Sequence, residues 1–316
     1  MAKKQTIEHL IKQTLINRTT FGQSKHLAKQ GLGFGESAFK IYSYSTHNTY
    51  LKECGAYGKW LKEAKGIGKL TDIAETEKYA KEYIEKRLSV DKVSVYTAKM
   101  EKSALGMLYG KTIEIEMPQR DNKHITRSRK ETADDVHYSR NGKYVDVFNM
   151  ALGTGCRRCD LVNLRTDCLI EKDGHLYIQI KRSKGGRDRL SYVREEYAEQ
   201  IKEYVLKRQS EGYTKVFDKI PRKIDIHSLR REYCQGLYEE IKNNRKLRDD
   251  ILKNYPERRE FKTNKDKDGN KYTKEIQREF YKDRNGNVYD RDDIYVLSQC
   301  LGHNRLDVSV THYLKS

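Results

Sequence analysis

The chain has 316 residues and a formal charge of +18, and 36% of its residues are hydrophobic. Its length suggests about two domains. Its positive charge favours binding to a polyanionic partner such as nucleic acid over a role in solubility alone. The sequence argues against a membrane protein, because no stretch approaches the roughly 18 consecutive apolar residues of a span, and the polar N-terminus lacks the apolar segment of a secretory signal, so we expect a cytoplasmic protein.

The N-terminal part of the chain has the apolar spacing of helices. Residues 1–40 form a basic segment that glycines interrupt. Residues 41–114 contain three helical patterns, and the last of these begins at Ser94, a favoured N-cap residue. Residues 115–138 are rich in charged and polar side chains and form the predicted linker. We therefore predict a basic N-terminal segment, a small helical domain over 41–114 and a linker.

The remaining residues, 139–316, mix helical and strand patterns. A β-hairpin is predicted over 175–193, because two strand-like runs flank a pair of glycines. A polar insert over 243–293 contains two turn signals rich in asparagine and glycine, which predict one or two further hairpins. Five helical stretches are predicted: 145–152, 195–209, 228–242, 294–301 and 308–314. The expected fold class is α+β, mainly helical with a small β-sheet.

Two patterns resemble metal sites, and both are incomplete. Cys156 and Cys159 have the spacing of a zinc or redox motif, but no second pair of ligands accompanies them. Residues 264–275 match a loose calcium-loop pattern, but lysines crowd the loop and its flanks are strand-like rather than helical. We therefore expect free thiols in a reducing compartment, no bound metal, and a hairpin tip at 264–275.

Six residues beyond position 139 have the chemistry that metal-free cleavage of a phosphodiester requires. Arginine binds two phosphate oxygens through its planar fork and stays protonated. Lysine or histidine can protonate the departing oxygen, and a tyrosine near cations can act as the nucleophile. In chain order the six are Arg157, Lys184, His227, Arg230, His303 and Tyr313. Each one alone has an ordinary structural explanation, so only their joint occurrence predicts a catalytic site.

This set of residues, in this order, resembles the catalytic pattern of the tyrosine recombinase, or phage integrase, family. The resemblance covers 139–316 well and the helical domain loosely. It implies that Tyr313 attacks the scissile phosphate to form a 3′-phosphotyrosine and that Lys184 protonates the leaving 5′ hydroxyl. Four residues would hold the phosphate: Arg157, His227, Arg230 and His303. Asp160 would support the fold around the first of these arginines.

The same resemblance implies a DNA recombinase that needs no cofactor and no metal. Two duplexes would exchange strands through a Holliday junction in a homotetramer, and the protomers would be monomeric or dimeric when free. The expected biological result is integration or excision of a mobile element in the bacterial nucleoid. The family also uses accessory excisionases or DNA-bending proteins, which this chain would accept as partners.

The helical and catalytic domains are expected to form a clamp around duplex DNA. Basic residues of both domains would bind phosphates, whereas sequence selection needs contacts to base edges or to DNA shape. The candidate DNA-reading residues of the helical domain are Thr46, Asn48, Thr97 and Lys99. Arg187, in the turn of the predicted hairpin, is a further candidate DNA contact.

Three features depart from the family pattern. Arg231 stands where many members have histidine, the insert over 243–293 is longer than in compact members, and only three residues follow Tyr313. Many relatives dock a C-terminal helix on a neighbouring protomer, and no such helix follows Tyr313 in this sequence. We therefore expect the insert or the tyrosine helix to link protomers.

Two other functions stay open at this stage. A type IB topoisomerase-like enzyme would use the same six residues to relax DNA without strand exchange. A DNA-binding regulator that has lost catalysis would bind DNA without cleaving it, although none of the six residues is missing. The formation of a junction between two duplexes separates the recombinase from the first alternative, and a covalent adduct separates it from the second.

Overall fold

In this computed structural model of the chain, the described residues are 3–23, 25–30, 32, 37–119, 138–183, 187–265, 271–283, 285–303 and 305–314. The chain divides into two compact units, Met1–Ile125 and Thr126–Ser316. Helices dominate both units, and the strands form small antiparallel sheets. The expectation of an α+β fold, mainly helical with a small sheet, is confirmed. Among the described residues, no helix is both long and apolar enough to cross a membrane.

The N-terminal unit is a helical bundle that carries one short antiparallel strand pair. Its α-helices are α1 Ile7–Asn17, α2 Lys25–Gln30, α3 Tyr44–Lys65, α4 Ala80–Ser89 and α5 Val95–Tyr109. A 3₁₀ helix over Ile73–Tyr79 leads directly into α4. The strand β1 Gln5–Thr6 pairs with β2 Lys69–Leu70.

Serine side chains cap the N-termini of the two longest helices of this unit. The Oγ of Ser43 accepts the backbone N–H of Thr46 at 3.2 Å at the start of α3. The Oγ of Ser94 accepts the backbone N–H of Thr97 at 3.1 Å at the start of α5. Each bond satisfies an N–H group that the first helical turn leaves without a partner. The prediction of Ser94 as an N-cap is confirmed.

The core of the N-terminal unit is built mainly from α1, α3 and α5. Helix α1 buries Ile7, Ile11 and Leu15 on one face. It lies close to α3 because Gly58 has no side chain, and a Cβ at that position would lie 2.9 Å from the Cδ1 of Ile11. The basic segment 1–40 therefore supplies part of this hydrophobic core.

The C-terminal unit is built from helices around a three-stranded sheet. Its helices are α6 Val145–Thr154, α7 Arg158–Asn163, α8 Glu195–Ser210, α9 Ile226–Asn243, α10 Arg245–Leu252, α11 Arg291–Leu301 and α12 Leu306–Ser309. A π-helical turn over Val310–Leu314 continues from α12. The sheet is antiparallel in the order β3 Leu169–Lys172, β4 His175–Ser183 and β5 Arg187–Tyr192.

The insert over 243–293 begins with helix α10 and continues into two β-hairpins. One hairpin pairs β6 Glu260–Lys265 with β7 Lys271–Ile276, and the other pairs β8 Phe280–Lys282 with β9 Val288–Asp290. The tip that the sequence places within 264–275 includes 266–270, which lie outside the described residues. Helix α10 was not predicted from the sequence, because five of its eight residues are charged and only Leu247, Ile251 and Leu252 are apolar.

Two hydrophobic clusters stabilise the C-terminal unit. The first surrounds α6, which packs against α8 and α9 and buries Phe148 and Met150. The second joins α9 to α11 and includes Leu237, Leu297 and Tyr313. Because Tyr313 belongs to this second cluster, the packing of α9 against α11 determines where its ring lies.

Replacement of Ile11 by alanine should lower the free energy of unfolding by about 2–4 kcal/mol, because it removes buried methyl and methylene groups and leaves a cavity. Ile16 on the same helix provides the matched control, since it is 47% exposed and Ile11 is 1% exposed. Ile16→Ala should change the stability by about 0.5 kcal/mol or less. Denaturant unfolding measures both variants, and equal losses would contradict the burial of α1.

Candidate active site

Five of the six catalytic candidates meet in the C-terminal unit. Arg157 directly precedes α7, and His227 and Arg230 lie in the first two turns of α9. His303 follows α11, and Tyr313 lies in the π-helical turn. These segments are far apart in the chain, so the tertiary fold brings the five side chains together.

Arg230 lies at the centre of this arrangement and is 1% exposed. Its Nε donates to the Oη of Tyr313 at 3.2 Å. Its Nη2 donates to the carbonyl of Leu301 at 2.5 Å and contacts the Nε2 of His303 at 3.2 Å, and its Nη1 donates to the carbonyl of Gly155. Burial lowers the pKa of Arg230, but a guanidinium remains protonated in proteins. One buried cation therefore links four segments of the chain.

The ends of α6 and α11 both carry a glycine in the left-handed conformation. Gly155 has φ 58° and Gly302 has φ 61°, a region that L side chains rarely adopt. A Cβ on Gly155 would lie 2.3 Å from the Cδ1 of Tyr233, and a Cβ on Gly302 would lie 2.5 Å from the Cδ of Arg189. Glycine at these positions therefore allows the end of α6 to pack against Tyr233 of α9 and the end of α11 to pack against Arg189 of β5.

Side-chain donors bridge the carbonyls at these two helix ends. Arg157 donates through Nη2 to the carbonyl of Gly302 at 3.2 Å. Ser191 contacts the carbonyls of both Thr154, at 2.7 Å, and Cys300, at 3.0 Å. Arg189 also donates to the carbonyl of Cys300. Because the C-terminus of a helix carries partial negative charge, these carbonyls favour nearby guanidinium groups.

Asp160 forms hydrogen bonds with both Arg157 and the β4–β5 hairpin. Its Oδ2 accepts the backbone N–H of Arg157 at 3.0 Å and the Nη2 of Arg189 at 2.9 Å. Its Oδ1 accepts the hydroxyl of Ser183 at 2.8 Å. Burial alone would raise the pKa of Asp160, but the charge of Arg189 and these hydrogen bonds hold it below its usual value. Asp160 is therefore ionised and compensates part of the arginine charge.

Tyr313 is 5% exposed and lies between the two histidines. Its ring centroid is 5.8 Å from that of His227 and 5.3 Å from that of His303. His227 is exposed, and it lies near the N-terminus of α9, where the helix carries partial positive charge. The phenol oxygen thus lies beside a buried cation, with an exposed imidazole on one side.

His303 is neutral over the physiological range. Burial, followed by the charges of Arg230, Arg157 and Arg189, lowers the pKa of its ring from 6.5 to about 3. Its Nε2 accepts the hydrogen bond from Arg230, which assigns the proton of the neutral ring to Nδ1. Among the described residues, Nδ1 has no hydrogen-bond partner. Nδ1 is also buried in the free protein.

The remaining site predictions concern the β4–β5 turn and the helical N-terminal unit. Lys184 lies outside the described residues, and nothing is described of the side chain of Arg187. Among the candidate DNA-reading residues, Asn48 and Lys99 are exposed. The hydroxyls of Thr46 and Thr97 lie 2.8 and 2.9 Å from the Oγ atoms of the serines that cap their helices. These two threonines therefore contribute to helix capping.

Sequence reasoning assigned no role to Ser183, Arg189 and Ser191, which complete the inner surface of the site. All three lie on the β4–β5 hairpin, and Arg189 is paired with Ile180 across the two strands. Directly paired residues point to the same face of a sheet, and Ile180 is buried. The sequence signal that could have revealed Arg189 is its pairing with an inward-facing isoleucine, because a buried arginine needs an acidic partner.

The two cysteines with motif-like spacing are free thiols with different surroundings. Cys156 is buried and Cys159 is exposed. Burial raises the pKa of both thiols. Within the described part of the chain, no group of three histidine, cysteine or acidic side chains is placed to hold a metal ion.

No protein-family model and no curated protein matches the sequence. Solved structures do match the fold. The XerH site-specific recombinase bound to palindromic difH substrate, in a post-cleavage complex, has a TM-score of 0.54 and 13% identity, and the match covers 98% of this chain and 91% of that chain. The XerH pre-cleavage complex with difH substrate has a TM-score of 0.50 and 14% identity, over 97% of this chain and 90% of that chain.

The ring of His303 should remain neutral at pH 5 in the free protein, because its pKa of about 3 lies well below that pH. Histidine-selective NMR, with His303→Gln to assign the signal, measures this directly. Since the folded pKa lies below the unfolded value of 6.5, the unfolded state binds more protons between these pH values. Stability should therefore fall as the pH falls from 6.5 towards 3.

The His303→Gln variant should lose this part of the pH dependence, because glutamine does not titrate. The control is the difference in unfolding free energy between wild type and variant at pH 8, where the ring of His303 is neutral in both the folded and the unfolded state. A titration midpoint of His303 above pH 6, or a wild-type minus variant difference that is constant from pH 8 to pH 4, would contradict the burial of this histidine among arginines.

Proposed function

We propose that this protein, whose fold is that of the tyrosine recombinases, is a site-specific DNA recombinase with Tyr313 as its nucleophile. The observation that carries the proposal is the 3.2 Å hydrogen bond from the Nε of Arg230 to the Oη of Tyr313. A tyrosine buried for packing alone would need no guanidinium at its hydroxyl. A tyrosine that attacks a phosphate needs cations that bind both the phosphate and the developing negative charge.

The proposed reaction begins when Tyr313 attacks the scissile phosphorus. A bond forms between its Oη and phosphorus, the bond from phosphorus to the 5′ oxygen breaks, and a 3′-phosphotyrosine results. Arg157 and Arg230 stabilise the negative charge that gathers on the phosphate oxygens. Lys184 supplies the proton to the departing 5′ oxygen. Because the phosphotyrosine retains the energy of the ester, the strands can be rejoined without a nucleotide cofactor.

His227 is the proposed acceptor for the proton that the Tyr313 phenol loses. The centroid of its ring lies 5.8 Å from that of Tyr313, and its side chain is exposed. His303 is a poor base, because its pKa is about 3. Its Nδ1 proton, which is buried in the free protein, would bond to a non-bridging phosphate oxygen once DNA binding exposed it. The two histidines would thus have different tasks.

Duplex DNA is the proposed substrate. The charge of +18 supports a polyanionic partner, and XerH, a structural relative, is bound to difH substrate in the two structures compared above. The free 5′ hydroxyl of one duplex would attack the phosphotyrosine of another, so that strands exchange through a Holliday junction in a homotetramer. Integration or excision of a mobile element is the proposed outcome. The helical N-terminal unit would supply further DNA contacts.

Replacement of Tyr313 by phenylalanine should abolish the covalent protein–DNA adduct and leave site binding within about twofold, because only the attacking oxygen is removed. Selection from a random duplex pool first identifies a bound sequence. A nicked duplex of that sequence then traps the adduct, which denaturing electrophoresis resolves. Tyr57→Phe is the matched control, since its buried hydroxyl donates to the carbonyl of Thr76 within the N-terminal unit. An adduct that persists in Tyr313→Phe would identify another nucleophile.

Replacement of Arg157 by alanine should slow cleavage by about a hundredfold or more, by analogy with the loss of one transition-state donor. Arg157 suits this test better than Arg230, because its side chain is 20% exposed and bridges fewer backbone carbonyls. Arg165→Ala, at an exposed arginine of the same unit, is the control for lost charge. Near-normal cleavage by Arg157→Ala would remove this arginine from the site.

The same substrates distinguish the two alternative functions. Two duplexes that carry the bound sequence should yield a four-way junction with the wild-type protein. A topoisomerase-like enzyme would form the adduct and relax supercoiled plasmid without joining the duplexes. A regulator without catalysis would bind the sequence and give no slow band on a denaturing gel.

A further inference from the structure

Strand β4 contains an irregularity directly before the loop that includes Lys184. The pairing of β4 with β5 shifts between Ile180 and Ser183. Arg182 has φ 51°, which a residue other than glycine rarely adopts, and its N–H donates to the Oδ1 of Asp188 at 2.8 Å. These features are those of a β-bulge, in which one strand contains an extra residue.

The bulge changes the direction in which Ser183 points. In a regular strand the side chains alternate, so Ile180 and Arg182 would face the core and Ser183 would face outward. Instead Ile180 and Ser183 are both buried, and the two residues between them, Lys181 and Arg182, are both exposed. The extra residue therefore turns a serine that would face solvent into the site. Bulges commonly re-aim a side chain in this way.

Once inside, Ser183 lies between Arg157 and Asp160. Its Oγ accepts the Nη1 of Arg157 at 3.2 Å and donates to the Oδ1 of Asp160 at 2.8 Å. The Nη1 of Arg157 remains 4.0 Å from the Oδ2 of Asp160. The serine hydroxyl thus occupies the place where the arginine and the carboxylate would otherwise form a closer ion pair.

We propose that Ser183 is a positioning residue that keeps the guanidinium of Arg157 away from Asp160 and directed towards the scissile phosphate. The proposal rests on the proposed function, because it assigns Arg157 to the phosphate. Without the hydroxyl, Nη1 of Arg157 loses its acceptor and the buried carboxylate of Asp160 loses a donor. The guanidinium then moves onto Asp160, and its charge is compensated by the carboxylate rather than by the phosphate.

Ser183→Ala tests this role with little risk to the fold, because it removes one oxygen atom. Single-turnover cleavage should slow by about ten- to a hundredfold, the cost of a displaced catalytic group, with the dissociation constant for DNA changed by less than about twofold. Thr166→Val is the matched control. It also removes a buried hydroxyl, one that donates to the carbonyl of Tyr213, and it should leave the cleavage rate unchanged.

Two modified substrates identify the group through which Ser183 acts. A methylphosphonate at the scissile position removes the single negative charge of the phosphodiester, which Arg157 would neutralise, so the defect of Ser183→Ala should shrink, as should that of Arg157→Ala. A 5′-bridging phosphorothiolate has a leaving group that needs no proton, so it should not rescue Ser183→Ala. Rescue by the phosphorothiolate, with none by the methylphosphonate, would overturn the proposal, because Ser183 would then act through the proton donor.

A readout that needs no cleavage separates this proposal from the proposed function. Side-chain NMR of Arg157 should show restricted rotation of its guanidinium in the wild type and altered signals in Ser183→Ala, with no change in Thr166→Val. If the wild type forms no adduct with any selected duplex, the proposed function fails, and the NMR comparison still decides the positioning. Unaltered Arg157 signals in Ser183→Ala would overturn the positioning role even in an active enzyme.

Discussion

The buried guanidinium of Arg230 is the interaction on which the candidate site depends. It donates to carbonyls at the ends of two helices, Gly155 after α6 and Leu301 in α11, and it also contacts His303 and Tyr313. A buried cation is tolerated only when its donors are satisfied, and its removal would leave the facing acceptors unpaired. The same five-donor fork therefore supports the packing of α6, α9 and α11 and holds the phenol oxygen in place.

The surrounding charges leave the candidate site with an excess of positive charge. Arg157, Arg189 and Arg230 lie close enough together that each lowers the pKa of His303. Asp160, the carboxylate that bonds to Arg189, compensates part of this charge, and the helix C-termini compensate another part through their carbonyls. This compensation allows three guanidinium groups to be partly or fully buried in one place. The positive charge that remains is suited to a phosphodiester.

Asp160 connects the start of its own helix, α7, to the β4–β5 hairpin. It accepts the N–H of Arg157 three residues earlier, as a residue in the first turn of α7 can do. It also binds Ser183 and Arg189, which belong to the β4–β5 hairpin. The β4–β5 hairpin is thereby fixed to the segment that carries Arg157. A single buried carboxylate thus couples two parts of the proposed phosphate site.

Local signals in the sequence predicted most of the secondary structure and singled out the residues of the candidate site. Helix periodicity and N-cap residues such as Ser94 act within one turn of chain, so they are visible without the fold. The order of Arg157, Arg230, His303 and Tyr313 was likewise readable as a family pattern. Helix α10 was missed, because five of its eight residues are charged and its three apolar residues give too weak a pattern.

The tertiary structure alone decided how these residues meet. The bond from Arg230 to Tyr313 spans 83 residues, and the bond from Arg157 to Gly302 spans 145. No local pattern encodes such distances, because they depend on how separate helices pack. The inward turn of Ser183 depends on a one-residue bulge, and strand alternation by itself predicts the opposite face. Residue types were therefore decided by local chemistry, whereas their convergence was decided by packing between segments far apart in the chain.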